Sequence, residues 1–381
     1  MKDIQMVDLK SQYDKIKSEI DAGIQEVIDS THFVKGPQVA EFEEQLARFT
    51  GSKHVITCGN GTDALQISLM ALDLHPGDEV ITVPFTFIAT AEVIALLGLT
   101  PVFVDVRPDT YNMDVSKLEA AITSHTKAIV PVHLFGQCAD MEIIMKIADA
   151  HHLAVIEDAC QAIGAEVTYS DGSIHQAGTM GTMGCTSFFP SKNLGCYGDG
   201  GAIFTQDDEL ARKLHGIVNH GMFVRYHHEL IGVNSRLDTI QAAILKVKLA
   251  HLHEYMHSRQ TAAAYYADKL KSCGSVRLPV TASFSSHVFH QYTLQLRNVN
   301  RALLIEKMKA AGIPVMIYYP IPIHLQQAYV HFGFHQGDFP VSEKLAETVI
   351  SLPMHTELDD EQLSYICDQL LSVSCKLSAT N

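Results

Sequence analysis

A lysine set between an aromatic pair and a run of glycines is the first group in this sequence whose surroundings suggest chemistry. Lys192 stands in Ser187-Phe188-Phe189-Pro190-Ser191-Lys192-Asn193, and Gly195-Cys196-Tyr197-Gly198-Asp199-Gly200-Gly201 follows it. Apolar neighbours disfavour an ammonium, lower its pKa and free the amine to form an imine with a carbonyl. The plain alternative is a solvated lysine in a Gly-rich turn, the fate of most lysines. Upstream, Ala154-Val155-Ile156-Glu157-Asp158-Ala159 puts two carboxylates at the end of an apolar strand. Asp158 is placed to keep a heteroaromatic nitrogen protonated, so that the ring can act as an electron sink. Equally, the two carboxylates could cap a following helix. Cys58-Gly59-Asn60-Gly61-Thr62-Asp63-Ala64-Leu65 ends a strand in glycines and opens an apolar-periodic helix. Free N–H groups there, with Gly61 and the Thr62 hydroxyl, suit a phosphate, or form no more than a helix cap. Phe87, in Pro84-Phe85-Thr86-Phe87, could stack on a flat ring or simply pack in a core. In chain order these are a phosphate cup, a stacking aromatic, a strand-end carboxylate and Ser187 followed by Lys192. The order says more than any one of them.

Such groups need a frame. From about residue 55 to 205 short β-branched runs alternate with helical patterns. Residues 80–83, 102–106, 128–132 and 153–156 read as strands, and 63–72, 90–97, 115–122 and 141–150 as helices. That alternation predicts an α/β fold with a mostly parallel sheet covered by helices on both faces. Ligands of such sheets bind beyond the carboxyl ends of the strands, where Gly61, Asp158 and Phe87 would sit. Residues 237–257 read as one long helix; 292–296 as a strand; 303–311 and 360–371 as helices. Residues 1–240 are therefore expected to form a large domain, with an N-terminal segment free to pack on either lobe. Residues 241–381 would form a smaller α+β domain.

Composition narrows the partners. Apolar residues make up 47% and charged residues 19%, so the chain should fold rather than remain disordered. A formal charge of −15 repels nucleic acid and anionic lipid over most of the surface. A locally positive site for a small anion remains possible. There is no signal-peptide-like start and no long apolar run, so a membrane partner is not expected. The eight cysteines, at 58, 138, 160, 185, 196, 273, 367 and 375, include no C-x-x-C pair. They read as reduced, mostly buried thiols of a cytoplasmic protein. The 21 histidines are scattered without His-Glu-x-x-His, so no metal site is expected. A nicotinamide dehydrogenase would need a third glycine after Gly59-Asn60-Gly61, where Ala64 stands instead.

The phosphate-cup, strand-end and lysine stretches resemble the DegT/StrS family of nucleotide-sugar aminotransferases, enzymes of fold type I. So do Gly232-Val233-Asn234-Ser235-Arg236-Leu237-Asp238 and Tyr319-Pro320-Ile321-Pro322. The likeness runs from Val7-Asp8-Leu9 to Ser351-Leu352-Pro353-Met354-His355. It implies pyridoxal 5′-phosphate as cofactor, with Lys192 as its imine-forming lysine and Asp158 as the partner of its ring nitrogen. It also implies that Gly61, Thr62 and Ser187 hold the phosphate, that Gln161 lies near the ring oxygen, and that Phe87 stacks on the ring. Asn234 would reach the same phosphate from a second copy, making the active unit a homodimer with shared sites. L-glutamate is the implied amino donor and a nucleotide-linked keto-sugar the acceptor. Arg236 is a candidate carboxylate clamp, or else a structural ion pair. His220, Tyr226, Tyr318 and Tyr319 are candidates to line the sugar site.

Within the family, residues 187–205 and Arg225-Tyr226-His227-His228 are similar to aminotransferases of UDP-linked 3-keto-hexuronates from surface-polysaccharide pathways such as lipopolysaccharide O-antigen synthesis. Many relatives read His-Tyr-Pro where this chain has Tyr318-Tyr319-Pro320. That departure keeps a dTDP-linked 3-keto-6-deoxyhexose open as the substrate. Two rival readings are a dehydratase of the same fold and a non-catalytic regulatory homologue. Dehydratases of the deoxysugar kind carry histidine where Lys192 stands, and every catalytic position expected here is filled.

Overall fold

The computed structural model describes residues 2–378. Two helices, α1 (Leu9–Ser30) and α2 (Pro37–Thr50), precede a seven-stranded sheet. Its strands are β1 (His54–Cys58), β2 (Glu79–Thr82), β3 (Thr100–Phe103), β4 (Thr126–Ile129), β5 (Ala154–Asp158), β6 (Met183–Ser187) and β7 (Gly201–Thr205). Across the sheet they run β1-β7-β6-β5-β4-β2-β3, and only β7 opposes its neighbours. The predicted α/β sheet with mostly parallel strands is therefore present. Between the strands lie α3 (Gly61–Ala71), α4 (Ala89–Leu96) and α5 (Met141–His151), and α6 (Asp208–Ile217) follows β7. One apolar cluster packs Leu65, Ile67 and Leu214 onto Ile56, Ile156 and Ile203. Another sets Phe42, Leu46 and Leu245 against Phe188, Ala202 and Phe204. Burying both faces explains why the strands read as continuous apolar runs rather than alternating ones.

Two of the expected helices come out differently. Residues 115–122 form two 3₁₀ turns, Val115–Lys117 and Glu119–Ala121, not a helix. A stretch of eight residues has too few hydrogen bonds to offset helix nucleation once only Leu118 is fully buried. Residues 237–257 form not one helix but α7 (Thr239–Ala250) and α8 (Leu252–Leu270), broken at His251 (φ −97°, ψ 0°). The break redirects the chain: α7 packs on α1 and α2, whereas the far end of α8 joins a different core. Neither Gly nor Pro marks that change in the sequence.

This second core lies on a three-stranded antiparallel sheet, β8 (Val276–Arg277), β9 (Tyr292–Leu296) and β10 (Val349–Leu352). The α9 (Arg301–Ala310), α10 (Pro340–Thr348) and α11 (Asp360–Ser378) helices accompany it. Its cluster of Tyr266, Leu294, Met308, Ile350 and Ile366 also takes in Ile4 from the N-terminal segment. The carboxylate of Asp105, 3% exposed beyond β3, accepts from the Val341 and Ser342 N–H groups at 3.0 Å. It thus caps α10 from far away in sequence. Seven cysteines are free thiols, most of them buried; the Cys375 side chain lies outside the described residues. Among the described residues no helix is long and apolar enough to cross a membrane.

Lys248 on α7 is 1% exposed, its ammonium 5.4 Å from the centre of the Tyr197 ring. Burial pushes its pKa down to about 8, against an opposing pull from Cys196. Between pH 8 and 10.5 the unfolded chain binds more protons at this site than the folded chain, so stability rises with pH there. At pH 7 the folded state carries the whole penalty, about 3 kcal/mol. Lys248→Met is expected to raise the melting temperature at pH 7 and to flatten that rise, as melting curves from pH 7 to 10.5 would show. An unchanged slope would refute the assignment.

Candidate active site

Glycines let the carboxyl edge of the sheet close up. At β7 the first residue, Gly201, lies between Cys58 of β1 and Ser187 of β6. A Cβ on it would meet the Asn60 carbonyl oxygen at 2.4 Å. One on Gly61 would come within 2.7 Å of Ser187 Cβ and 2.9 Å of Cys160 Sγ. The start of α3 can therefore sit directly against Ser187 only because both positions lack side chains. Asn60 caps α3, its Oδ1 accepting from Asp63 N at 2.8 Å. The N–H groups of Gly61 and Thr62 bond to no described residue, and they face the same cleft as Ser187. Two free amides, a helix N-terminus and two hydroxyls form a cradle for a phosphate.

Strand alternation separates the two carboxylates of β5. Glu157, fully buried, points away from the cleft. It accepts from Gly178 N at 2.8 Å and from Met180 N and Gly181 N at 2.6 Å. A fourth bond, 2.8 Å, comes from His133 Nε2; since His133 Nδ1 accepts from Ala139 N, Nε2 carries the proton. Glu157 thus fixes a turn and caps no helix. Asp158, 6% exposed, faces the cleft and accepts from Thr90 Oγ1 at 2.8 Å and Cys160 N at 3.2 Å. The residue Thr90, on the first turn of α4, was not singled out by the sequence. Its only signal is a hydroxyl one turn beyond Phe87.

The cleft, about 630 Å³, is lined by Gly61, Thr62, Phe87, Asp158, Gln161, Ser187 and Lys192 together with Tyr318 and Tyr319. Burial lowers the pKa of Lys192, against the pull of Cys160 and Asp158, so its amine is more readily neutral than a surface lysine's. Phe85 is wholly buried in the core, whereas Phe87, two residues on, is 54% exposed with its ring 6.2 Å from that of Tyr319. Gln161 is held at both ends: Oε1 accepts from Phe135 N at 2.7 Å and Nε2 donates to Tyr319 OH at 3.0 Å. Burial raises the Tyr319 phenol above its ordinary pKa, against the lowering bond from Gln161, and keeps it a proton donor. His290 and Gln291 complete the wall; nothing in their sequence setting pointed to them.

Four expected residues are not in this cleft. Asn234, Arg236, His220 and Tyr226 lie on the segment before α7, outside the cleft of the same chain. Asn234 and Tyr226 are exposed, and Arg236 donates to Asn219 Oδ1 at 3.2 Å rather than to a carboxylate. Ser235 anchors this segment behind the phosphate cradle, accepting from Gly59 N at 2.8 Å and donating to Asp63 Oδ2 at 2.6 Å.

A model of the DegT/DnrJ/EryC1/StrS aminotransferase family matches residues 14–371. The chain belongs to this family. Enzymes of the DegT/DnrJ/EryC1/StrS family are transaminases that depend on pyridoxal 5′-phosphate, and the cradle, Asp158 and Lys192 fit that cofactor. A relative from Pseudomonas aeruginosa, a UDP-2-acetamido-2-deoxy-3-oxo-D-glucuronate aminotransferase, is 50% identical over 96% of this chain and 99% of its own. A second, a UDP-N-acetyl-3-dehydro-alpha-D-glucosamine 3-aminotransferase from Acidithiobacillus ferrooxidans, is 47% identical over 95% and 96%. The crystal structure of S. venezuelae DesV in complex with a ketimine intermediate superimposes with a TM-score of 0.94 at 38% identity. It covers 98% of this chain and 99% of that one.

Proposed function

We propose that this enzyme transfers the amino group of L-glutamate to a UDP-linked 3-keto-hexuronate, or another UDP-linked 3-keto-hexose, for surface-polysaccharide synthesis, including O-antigen. The observation that carries the reading is a single cleft joining the α3 amides, Asp158 and Lys192, in a chain half identical to an enzyme named for that sugar class. When bound, the cofactor supplies a protonated ring that takes up an electron pair from the carbon losing its proton. The Gly61 and Thr62 N–H groups and the Ser187 hydroxyl hold its phosphate. Asp158 keeps a proton on the ring nitrogen, while Thr90 and the Cys160 amide hold the carboxylate still. Nζ of Lys192, whose pKa burial lowers, takes the donor's α-proton and returns it. Phe87 covers one face of the ring and excludes water.

The active unit in this reading is a cytoplasmic homodimer. Asn234 would complete the partner's phosphate cradle, and Arg236, His220 and Tyr226 would serve the partner's sugar site. Support comes from the exposed apolar side chains of Val224, Tyr226 and Ile231 on the segment that carries these residues. Such residues are costly to leave in water and mark an interaction surface. Tyr318 lines the cleft at the position where many relatives of this family read histidine, which keeps a dTDP-linked 3-keto-6-deoxyhexose as the alternative substrate.

The test is to incubate the enzyme with L-glutamate and matched UDP- and dTDP-linked 3-keto-sugars, following amino-sugar formation by mass spectrometry. The expected product is the UDP-linked amino-hexuronate. Turnover of the dTDP sugar alone would move the assignment to the alternative.

A further inference from the structure

Two cations outside the cleft, Lys35 and Arg236, are brought together by the fold with no anion to meet. Lys35 lies between α1 and α2, and Arg236 just before α7. Backbone pairing joins the two stretches. Val34 and Asp238 form an antiparallel bridge, and Thr239 N donates to Phe33 O at 3.0 Å. Gly36 N donates to the Thr239 hydroxyl at 3.1 Å, so close that a Cβ on Gly36 would meet Thr239 Cγ2 at 2.6 Å. Both neighbours of Lys35 are thus pinned two and three residues beyond Arg236. Lys35 itself has φ +56°, a left-handed backbone that favours glycine.

Lys35 is exposed and bonds to no described residue; Arg236, half-buried, has only the neutral Asn219 oxygen. Asp238, exposed beside them, forms an ion pair with neither. Desolvation, with the charge of Arg236 second, lowers the pKa of Lys35. In a chain with 43 carboxylates and a formal charge of −15, two neighbouring cations without an acid invite an anion from outside. Phe33 and Val34, 46% and 53% exposed beside Lys35, extend the apolar surface expected to face a second copy.

We propose that Lys35 and Arg236 together bind the diphosphate of the nucleotide-linked sugar held in the partner's cleft. The inference rests on the shared-site reading above, in which Asn234 completes the partner's phosphate cradle. Arg236 stands two residues beyond Asn234, roughly 7 Å along an extended chain, so it serves a group beside the cofactor's phosphate rather than that phosphate. A diphosphate carries a charge on each of two adjacent phosphoryl groups, one for each cation, where a single carboxylate offers one. The guanidinium takes phosphoryl oxygens in a bidentate fork, and the ammonium acts as a point charge.

The experiment measures, by calorimetry on the cofactor-loaded enzyme, the binding of UDP-glucose, dTDP-glucose and UDP-glucuronate to wild type, Lys35→Ala and Lys35→Arg. Lys35→Ala is expected to weaken every nucleotide sugar that the wild type binds by about tenfold, and Lys35→Arg to stay near wild type. Reaction of the cofactor with L-glutamate, followed by absorption, should be the same in all three. Loss confined to UDP-glucuronate would assign the cations to the sugar's carboxylate and overturn the diphosphate claim. Unchanged binding in Lys35→Ala, with a weaker dimer in sedimentation, would pair them with carboxylates of the second copy and overturn it too. A wild type that binds none of the three sugars fails the nucleotide-sugar reading and the proposal with it. Equal binding by wild type and Lys35→Ala fails the proposal alone.

Discussion

Lys192→Ala is expected to reduce turnover by on the order of 10⁴-fold or more, because in the proposed mechanism it removes both the cofactor's covalent anchor and the proton carrier. The visible band of the lysine–cofactor linkage should vanish with it, while the melting temperature changes little. The side chain lies in the cleft, and its backbone is held independently by the Lys192 N to Phe189 O bond at 2.8 Å. Truncation therefore opens space without unpicking the loop. Because burial lowers the pKa of this amine, the acid limb of wild-type activity should fall below the ordinary lysine range. Activity is lost as pH drops through that limb and the amine takes up a proton. Absorption spectra before and after L-glutamate, beside a steady-state assay, check both points. A variant that keeps the wild-type band would remove Lys192 from its assigned role.

Asp158→Asn is expected to lower kcat/KM by about 10³-fold, roughly 4 kcal/mol of transition-state stabilisation. An amide keeps a hydrogen-bonding group for Thr90 but cannot hold a proton on the ring nitrogen by charge. Thr90→Val removes only the neutral bond at 2.8 Å and should cost far less, about five- to tenfold. The graded pair separates charge from orientation, and titration with cofactor shows whether binding or turnover carries the loss. If Asp158→Asn stays within a few-fold of wild type, the carboxylate is not the ring's partner. Glu157→Gln makes the contrast. Glu157 accepts four bonds away from the cleft, so its loss should appear in stability before it appears in kcat.

Several of these groups were legible in the chain because local rules govern them. Strand–helix alternation forces a covered parallel sheet, and a sheet of that kind puts its ligands at the carboxyl edge. The glycines at 59 and 61 and the lysine after a serine carry their chemistry in residue type and spacing. Other features were out of reach. Nothing near Asp105 announces that it caps a helix starting at Pro340. Neither Thr90 nor His290 differs locally from any other buried threonine or histidine. The break at His251 has no Gly or Pro to mark it, because competition between two cores makes it.

By itself the sequence determined the sheet and marked the glycines after β1, the carboxylate pair at 157 and 158 and Lys192 as candidates. The sheet follows from backbone periodicity, and the cofactor roles of the candidates from their resemblance to the family. Only the tertiary structure decided which of two adjacent carboxylates enters the cleft, since strand alternation fixes the two faces but not which face is open. It alone brought His290 into the wall of the cleft that holds Lys192, and left Asn234 and Arg236 outside their own chain's site. Such placements depend on contacts between segments tens to hundreds of residues apart, and the energy of those contacts exists only once the chain has closed upon itself.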